Sequence, residues 1–187
     1  DGISLVWVAR LQGFRLKKRV CGSDLLWEFL KLSEQKGYRV FFYGDTEDTL
    51  ESLAATLKGT FPRLEIVGSI SPPFRSLTPE EDERELEMIN SSGADVVWVG
   101  LGLPKQEQWM FEHRDRVNAP VMVGVGAAFK FLSGRVRRAP PWVGDHGLEW
   151  MWRFFQEPRR VWRRVLVDGP QFAGQVILEL SGLKKYT

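Results

Sequence analysis

An α/β fold, with a parallel sheet covered by helices on both faces and a short basic helical appendage behind it, is what this chain predicts on three observations. Short apolar runs recur along the first two thirds of the sequence, each followed by a glycine turn and then a stretch with helical apolar spacing. Strands alternating with helices of about ten to fifteen residues form βαβ units, whose right-handed crossovers leave neighbouring strands parallel. The stretch ADVVWVGLGLPKQEQW at 94–109 shows the unit most clearly, because no charge lies between Asp95 and Gly100 and such a run suits a strand buried on both faces.

Taken in order, ISLVWVA at 3–9 is an apolar run fit for a first strand, and the basic QGFRLKKRVCG after it is loop-like. Ser23 or Asp24 can cap a helix to about Lys36, with Leu25, Leu26, Phe29, Leu30 and Leu32 along its apolar side and Gly37 ending it. YRVFFYG at 38–44 predicts a strand, and Asp45 and Thr46 open a helix to about Lys58 that carries Leu50, Leu53 and Leu57. RLEIVG at 63–68 predicts a short strand that the proline- and serine-rich SISPPFRSLTPEE does not continue. Thr78 with Glu81 makes a capping box, and Pro79 suits the first helical position of an acidic helix to about Asn90. After the 94–100 strand, Gly100 and Gly102 allow positive φ and close approach of a ligand, and Pro104 suits the first turn of a helix to about Arg116. APVMVGVG at 119–126 is the last strand.

The expected division is a Rossmann-like α/β domain over 1–133 and an appendage over 134–187, because the pattern changes after Gly134. RVRRAPPWVGDHG looks like a linker or lid, a helix is expected from about Leu148 to Glu157, and Pro158 can start a second one to about Asp168. At about 100° per residue, Arg153, Arg160, Arg163 and Arg164 share one face if the axis stays straight. The charge is uneven: 1–133 holds 16 Lys or Arg against 19 Asp or Glu, and 134–187 holds 10 against 5, which turns a net charge of +2 into a basic tail. That tail also carries Trp142, Trp150, Trp152 and Trp162, a mix suited to an anionic and partly apolar partner such as a membrane surface.

Several classes are excluded. Cys21 is the one cysteine among 187 residues, so no internal disulfide forms. No apolar stretch is long enough to span a bilayer, no signal segment opens the chain, and a start at Asp1 points to a piece of a longer product. The glycines at 100 and 102 lack the third glycine of a dinucleotide fingerprint, and neither a Walker lysine loop nor a nucleophile elbow is present. His113 and His146 stand alone, and Asp45, Glu47 and Asp48 suit the acidic first turn of a helix better than a cation clamp, so no metal is expected. The candidate site lies in the turns after three strands: Gly44, Asp45 and Thr46; Gly100, Gly102, Pro104, Lys105, Gln106 and Glu107; Gly124, Val125 and Gly126. In a parallel sheet these share one edge, where backbone N–H groups and cations receive anions. By the same logic Asp1, ahead of the first run, falls at the opposite strand end.

The strings GLGLPKQEQW, GVGAAF, RRAPPW and GLEWMWRFFQEPRR, with DG at the start and RVCGSDL after it, resemble the WecG/TagA/CpsF family of bacterial glycosyltransferases over nearly the whole length. The resemblance implies a Rossmann-like domain that moves a sugar, typically N-acetylmannosamine or its uronic acid, from a UDP-sugar to a polyprenyl-diphosphate-linked saccharide. Inversion at the anomeric carbon, no metal or other cofactor, and a place at the inner face of the bacterial plasma membrane belong to the same implication. So do products that feed wall teichoic acid, enterobacterial common antigen or exopolysaccharide. By motif, Asp1 matches the family's general base, Arg19 an arginine that neutralises the diphosphate, and Gln106 a glutamine near the sugar. Arg138 falls in the RRAPPW motif, and Arg153, Arg160 and Arg163 match arginines of a C-terminal appendage held to close over the site and touch the membrane. Lys130 stands where the family commonly has Asp, and as a cation it offers donor contacts or a phosphate partner. A glucosyl donor in the same family, or a non-catalytic subunit that binds nucleotide-sugar, remains open beside this reading; nucleic acid is the weaker partner for the tail, and self-association is left open.

Overall fold

The computed structural model of the chain describes residues 3–16, 20–137, 140, 143, 149–156 and 158–181. It divides into two compact units, 20–137 and 1–19 together with 138–187.

The 20–137 unit is α/β. Its elements run α1 (Gly22–Lys36), β1 (Val40–Tyr43), α2 (Glu47–Thr60), β2 (Ile66–Ile70), α3 (Pro79–Ser91), β3 (Val96–Val99), α4 (Lys105–His113), β4 (Val121–Gly124) and α5 (Ala128–Leu132). The four strands form one all-parallel sheet in the order β2-β1-β3-β4, a Rossmann-like arrangement. Three boundaries have a clear local cause. Gly37 closes α1 in the left-handed conformation at φ 71°, its N–H donating to the Ser33 carbonyl. Thr46 caps α2 and Thr78 caps α3, the latter with the full reciprocal box to Glu81 and Pro79 in the first turn.

Side chains alternate across β1 and β3 and so build two interiors. Val40, Phe42, Val96 and Trp98 face Leu26, Leu30, Leu50, Leu53, Leu57 and Phe129 on one side. Phe41, Tyr43, Val97 and Val99 face Leu86, Ile89 and Val117 on the other, with Trp109 and Met110 packed against them. β1 and β3 are buried at every position, as the unbroken apolar runs require of central strands in a doubly covered sheet.

The structure corrects four expectations here. β2 begins later than RLEIVG and runs on through Ser69 and Ile70, because both still have N–H groups for the ladder, and only Pro72 and Pro73 lack them. Cys21, with no side-chain cap bond, precedes α1, where Ser23 or Asp24 was expected to cap. Pro104 is itself the residue before the helix, one place ahead of the expected first-turn position, and the helix ends at His113 where Arg116 was expected.

In the other unit, 3–11 is not the expected strand but a helix, α6 (Ile3–Leu11). A short apolar run without alternation suits either state, and the sheet is built without it. Val6 is buried while Leu5 and Trp7 are half exposed, and the Arg10 guanidinium turns back to the Leu16 carbonyl at 2.9 and 3.2 Å. The same unit holds α7 (Glu149–Gln156), α8 (Pro158–Arg163), a π-helical turn (Arg164–Asp168) and α9 (Gly169–Leu180). Among the described residues, no helix is long and apolar enough to cross a membrane.

Candidate functional site

The register Tyr43↔Val99 and Val99↔Gly124 brings the exits of β1, β3 and β4 to one level on one sheet edge. Main-chain bonds knit them together: Gly44 N–H donates to Ile70 O at 2.9 Å, Gly100 N–H to Tyr43 O at 2.8 Å and Val125 N–H to Val99 O at 2.9 Å. Gly44 has φ 116°, and a Cβ there would stand 2.8 Å from the Gly100 carbonyl carbon and 3.0 Å from the Leu101 nitrogen. Two backbones therefore touch at this point, which no side chain would permit.

Asp45, next to it, is left-handed at φ 61° and its side chain is 5% exposed. Its carboxylate accepts the Thr46 N–H at 2.9 Å and lies 3.9 Å from Lys130 Nζ, while its carbonyl accepts the Ser71 hydroxyl at 2.8 Å. Thr46 Oγ1 accepts the Thr49 N–H at 3.3 Å, and the two threonine hydroxyls are 2.8 Å apart. The turn after β1 is thus tied to Ser71 beyond β2, with the Lys130 ammonium of α5 close to its carboxylate.

Gln106 ties the other two turns together. Buried at 5% exposure, its Oε1 accepts the Gly126 N–H at 2.9 Å, and its Nε2 donates to Glu107 Oε1 at 2.8 Å. The Gly124 position explains the space for this amide, because a Cβ there would lie 2.9 Å from Gln106 Nε2. Gly100 is likewise needed beneath the Phe129 ring, which a Cβ would meet at 2.5 Å. Gly102 is left-handed at φ 78° and its carbonyl accepts the Gln106 N–H at 2.9 Å. Lys105 and Glu107 are exposed beside it. Gly44, Asp45, Thr46, Gly100, Gly102, Pro104, Lys105, Gln106, Glu107, Gly124, Gly126 and Lys130 all therefore belong to the three turns or to the helices that leave them. Among the described residues, no group of three His, Cys, Asp or Glu side chains could hold a metal ion.

His113, expected to stand alone, does not. It is buried at the end of α4, its Nε2 lies 2.8 Å from Asp82 Oδ1 and its Nδ1 2.8 Å from the Trp109 carbonyl. Trp109 is stacked between Tyr43 and His113, with centroid separations of 4.2 and 4.5 Å. The Tyr43 hydroxyl donates to Glu85 at 2.7 Å, and Arg116 reaches Asp82 at 2.9 Å. Burial, then the Glu85 carboxylate, pushes the Tyr43 hydroxyl up, and burial also raises Glu85. Burial works against the Asp82 charge, but the bonds from His113 and Arg116 prevail and hold its carboxyl below the usual range. The Trp109 and His113 spacing of one helical turn was the only trace of this cluster in the sequence.

Asp1, Arg19 and Arg138 lie outside the described residues. Arg153 and Arg160 fall on α7 and α8, with side chains outside the described residues, so the expected arginine stripe is not traced by the structure; Arg163, at the end of α8, is exposed.

The relatives similar to the chain include two enzymes of one name. The N-acetylglucosaminyldiphosphoundecaprenol N-acetyl-beta-D-mannosaminyltransferase of Bacillus spizizenii (strain W23) is 38% identical over 167 residues, 89% of this chain and 62% of its own length. The enzyme of the same name from Bacillus subtilis (strain 168) is 31% identical over 186 residues, 100% of this chain and 70% of its own. The chain thus spans 62% of the length of the first and 70% of the second. The model of the glycosyl transferase WecG/TagA/CpsF family matches residues 1–186, and with it the Rossmann-like sheet and the glycine turns at its edge fall into place: the chain belongs to the WecG/TagA/CpsF family of glycosyl transferases.

Proposed function

We propose that the chain transfers an N-acetylmannosamine-like sugar from a UDP-sugar to a polyprenyl-diphosphate-linked saccharide, with inversion and without a metal, at the inner face of the bacterial plasma membrane. The observation that carries this reading is the convergence of three glycine turns on one sheet edge, two of them clipped together by Gln106. Such an edge is where open parallel sheets receive their ligands, its glycines let a diphosphate approach the backbone closely, and Lys130 adds a cation beside it. The names of the two relatives support the acceptor and the N-acetylmannosaminyl group.

In this proposal Asp1 takes the proton from the acceptor hydroxyl as that oxygen attacks the anomeric carbon, and UDP leaves from the opposite face. Negative charge grows on the departing diphosphate, and Arg19 with the appendage arginines Arg138, Arg153, Arg160 and Arg163 offsets it. Lys130, already beside Asp45, adds a cation within reach of the same turns. The basic, tryptophan-rich segment after 134 draws the chain to anionic lipid, at roughly 1 kcal/mol for each Lys or Arg near the surface.

The test supplies UDP-N-acetylmannosamine and a lipid-diphosphate acceptor to the chain and measures UDP release in the presence of a chelator. Turnover is expected, and Asp1→Asn should abolish it. Near-normal turnover of the Asn variant would remove the assigned base, and loss of turnover with the chelator would remove metal independence.

A further inference from the structure

The loop at 71–78, between β2 and α3, takes no part in the three turns, yet in an all-parallel sheet it leaves from the same edge. β2 lies next to β1, on the side away from β3. On this loop Phe74 is 84% exposed, the largest value for a large apolar side chain among the described residues. The loop is nevertheless held at both ends. Ser71 Oγ donates to the Asp45 carbonyl at 2.8 Å, so its start is joined to the turn after β1. Near its end Arg75 grips both oxygens of Glu81 at 2.6 and 2.7 Å, inside the capping box of α3. Pro72 and Pro73 restrict the backbone just ahead of the ring. A tethered loop therefore keeps a phenyl ring in water, where burial gives it nothing. Beyond β1, on the loop after β3, Leu103 is also 68% exposed. The two loops leave strands two places apart, roughly 10 Å at ~4.8 Å per strand.

Strand order reverses between β1 and β3, and open sheets of this kind take their ligands in the crevice at that reversal. The glycine turns after β1 and β3 let the charged diphosphate approach the backbone closely. A nucleobase is flat and uncharged, needs an aromatic or apolar face, and lies at the other end of the ligand. We propose that Phe74 is the stacking platform for the nucleobase of the donor, with Leu103 as a second apolar contact. The proposal rests on the nucleotide-sugar reading above and adds to it where the base lies.

Calorimetry on the 187-residue chain with UDP, and separately with inorganic pyrophosphate, tests the placement. Phe74→Ala should weaken UDP about ten-fold, the usual scale for losing one base-stacking partner, and leave pyrophosphate unchanged. Phe74→Tyr should hold UDP within about two-fold, since the aromatic face survives. Leu103→Ala should cost less than Phe74→Ala. Unchanged UDP affinity in Phe74→Ala overturns the platform, as does an equal loss for UDP and pyrophosphate, which would mean that the loop only shapes the phosphate turns. Failure of the unaltered chain to bind UDP, with or without pyrophosphate binding, overturns the nucleotide-sugar reading together with the base site, whereas the Phe74 outcomes above overturn the base site alone.

Discussion

The two faces of the sheet are held in different ways. On the face of Phe42 and Trp98 the sheet meets its helices through apolar side chains, with Leu26, Leu30, Leu53 and Leu57 fully enclosed, while buried Ser33 and Thr49 bond only within their own helix or its cap. On the face of Tyr43 the helices are also tied by directional bonds, His113 to Asp82 and Tyr43 to Glu85, around a stacked tryptophan. Apolar packing supplies stability in proportion to area but tolerates small shifts, whereas buried polar bonds specify one arrangement. The bonded face carries α4, whose first turn holds Gln106, the clip between two turns of the candidate site. Precision is spent where a side chain must meet a particular N–H group, and bulk burial suffices on the other face.

Mutations separate these two roles. The largest loss of stability is expected for Leu53→Ala on the apolar face, about 2–5 kcal/mol by chemical denaturation, because the residue is completely enclosed. On the bonded face His113→Phe keeps the ring stack but leaves Asp82 with Arg116 alone, and should cost about 1–3 kcal/mol. If the bonded face positions Gln106, the same variant should also speed hydrogen exchange at the Gly126 amide relative to global unfolding, and Leu53→Ala should not. Equal effects of both variants on that amide would remove the distinction between the faces. Gln106→Ala should raise exchange at Gly126 most directly, since it removes the acceptor of that N–H.

The smallest effect concerns pH. The Arg75 guanidinium, then the Thr78 N–H, holds the Glu81 carboxyl down to about 2. A lowered folded value means that the charged capping box contributes stability above about 4.5 and loses it as pH falls towards about 2. Glu81→Gln should therefore flatten part of the acid limb of a stability curve measured across that window. An unchanged acid limb would show that this exposed pair contributes nothing measurable.

Much of the site was legible because its determinants are local. Of the two glycines read as free to take positive φ, Gly102 does so and Gly100 instead makes room for the Phe129 ring; Thr78 with Glu81 announces a cap, and the charge-free VVWV announces a doubly buried strand. Gln106 was legible as a polar residue in the right turn, but not as the clip to Gly126, because a bond across twenty positions leaves no spacing rule. His113 looked solitary for the same reason, its partner Asp82 lying on another helix.

Sequence alone determined the parallel α/β class and the glycine turns at the strand exits, since periodicity, caps and glycines act within a few residues of themselves. It could not decide whether 3–11 is strand or helix, since an apolar run without alternation suits both and the partners that choose are distant. Tertiary structure alone decided the strand order β2-β1-β3-β4, and with it which turns are neighbours. It alone also placed the buried amide, the histidine pair and the exposed Phe74, because burial and long-range hydrogen bonds depend on what the rest of the chain brings alongside.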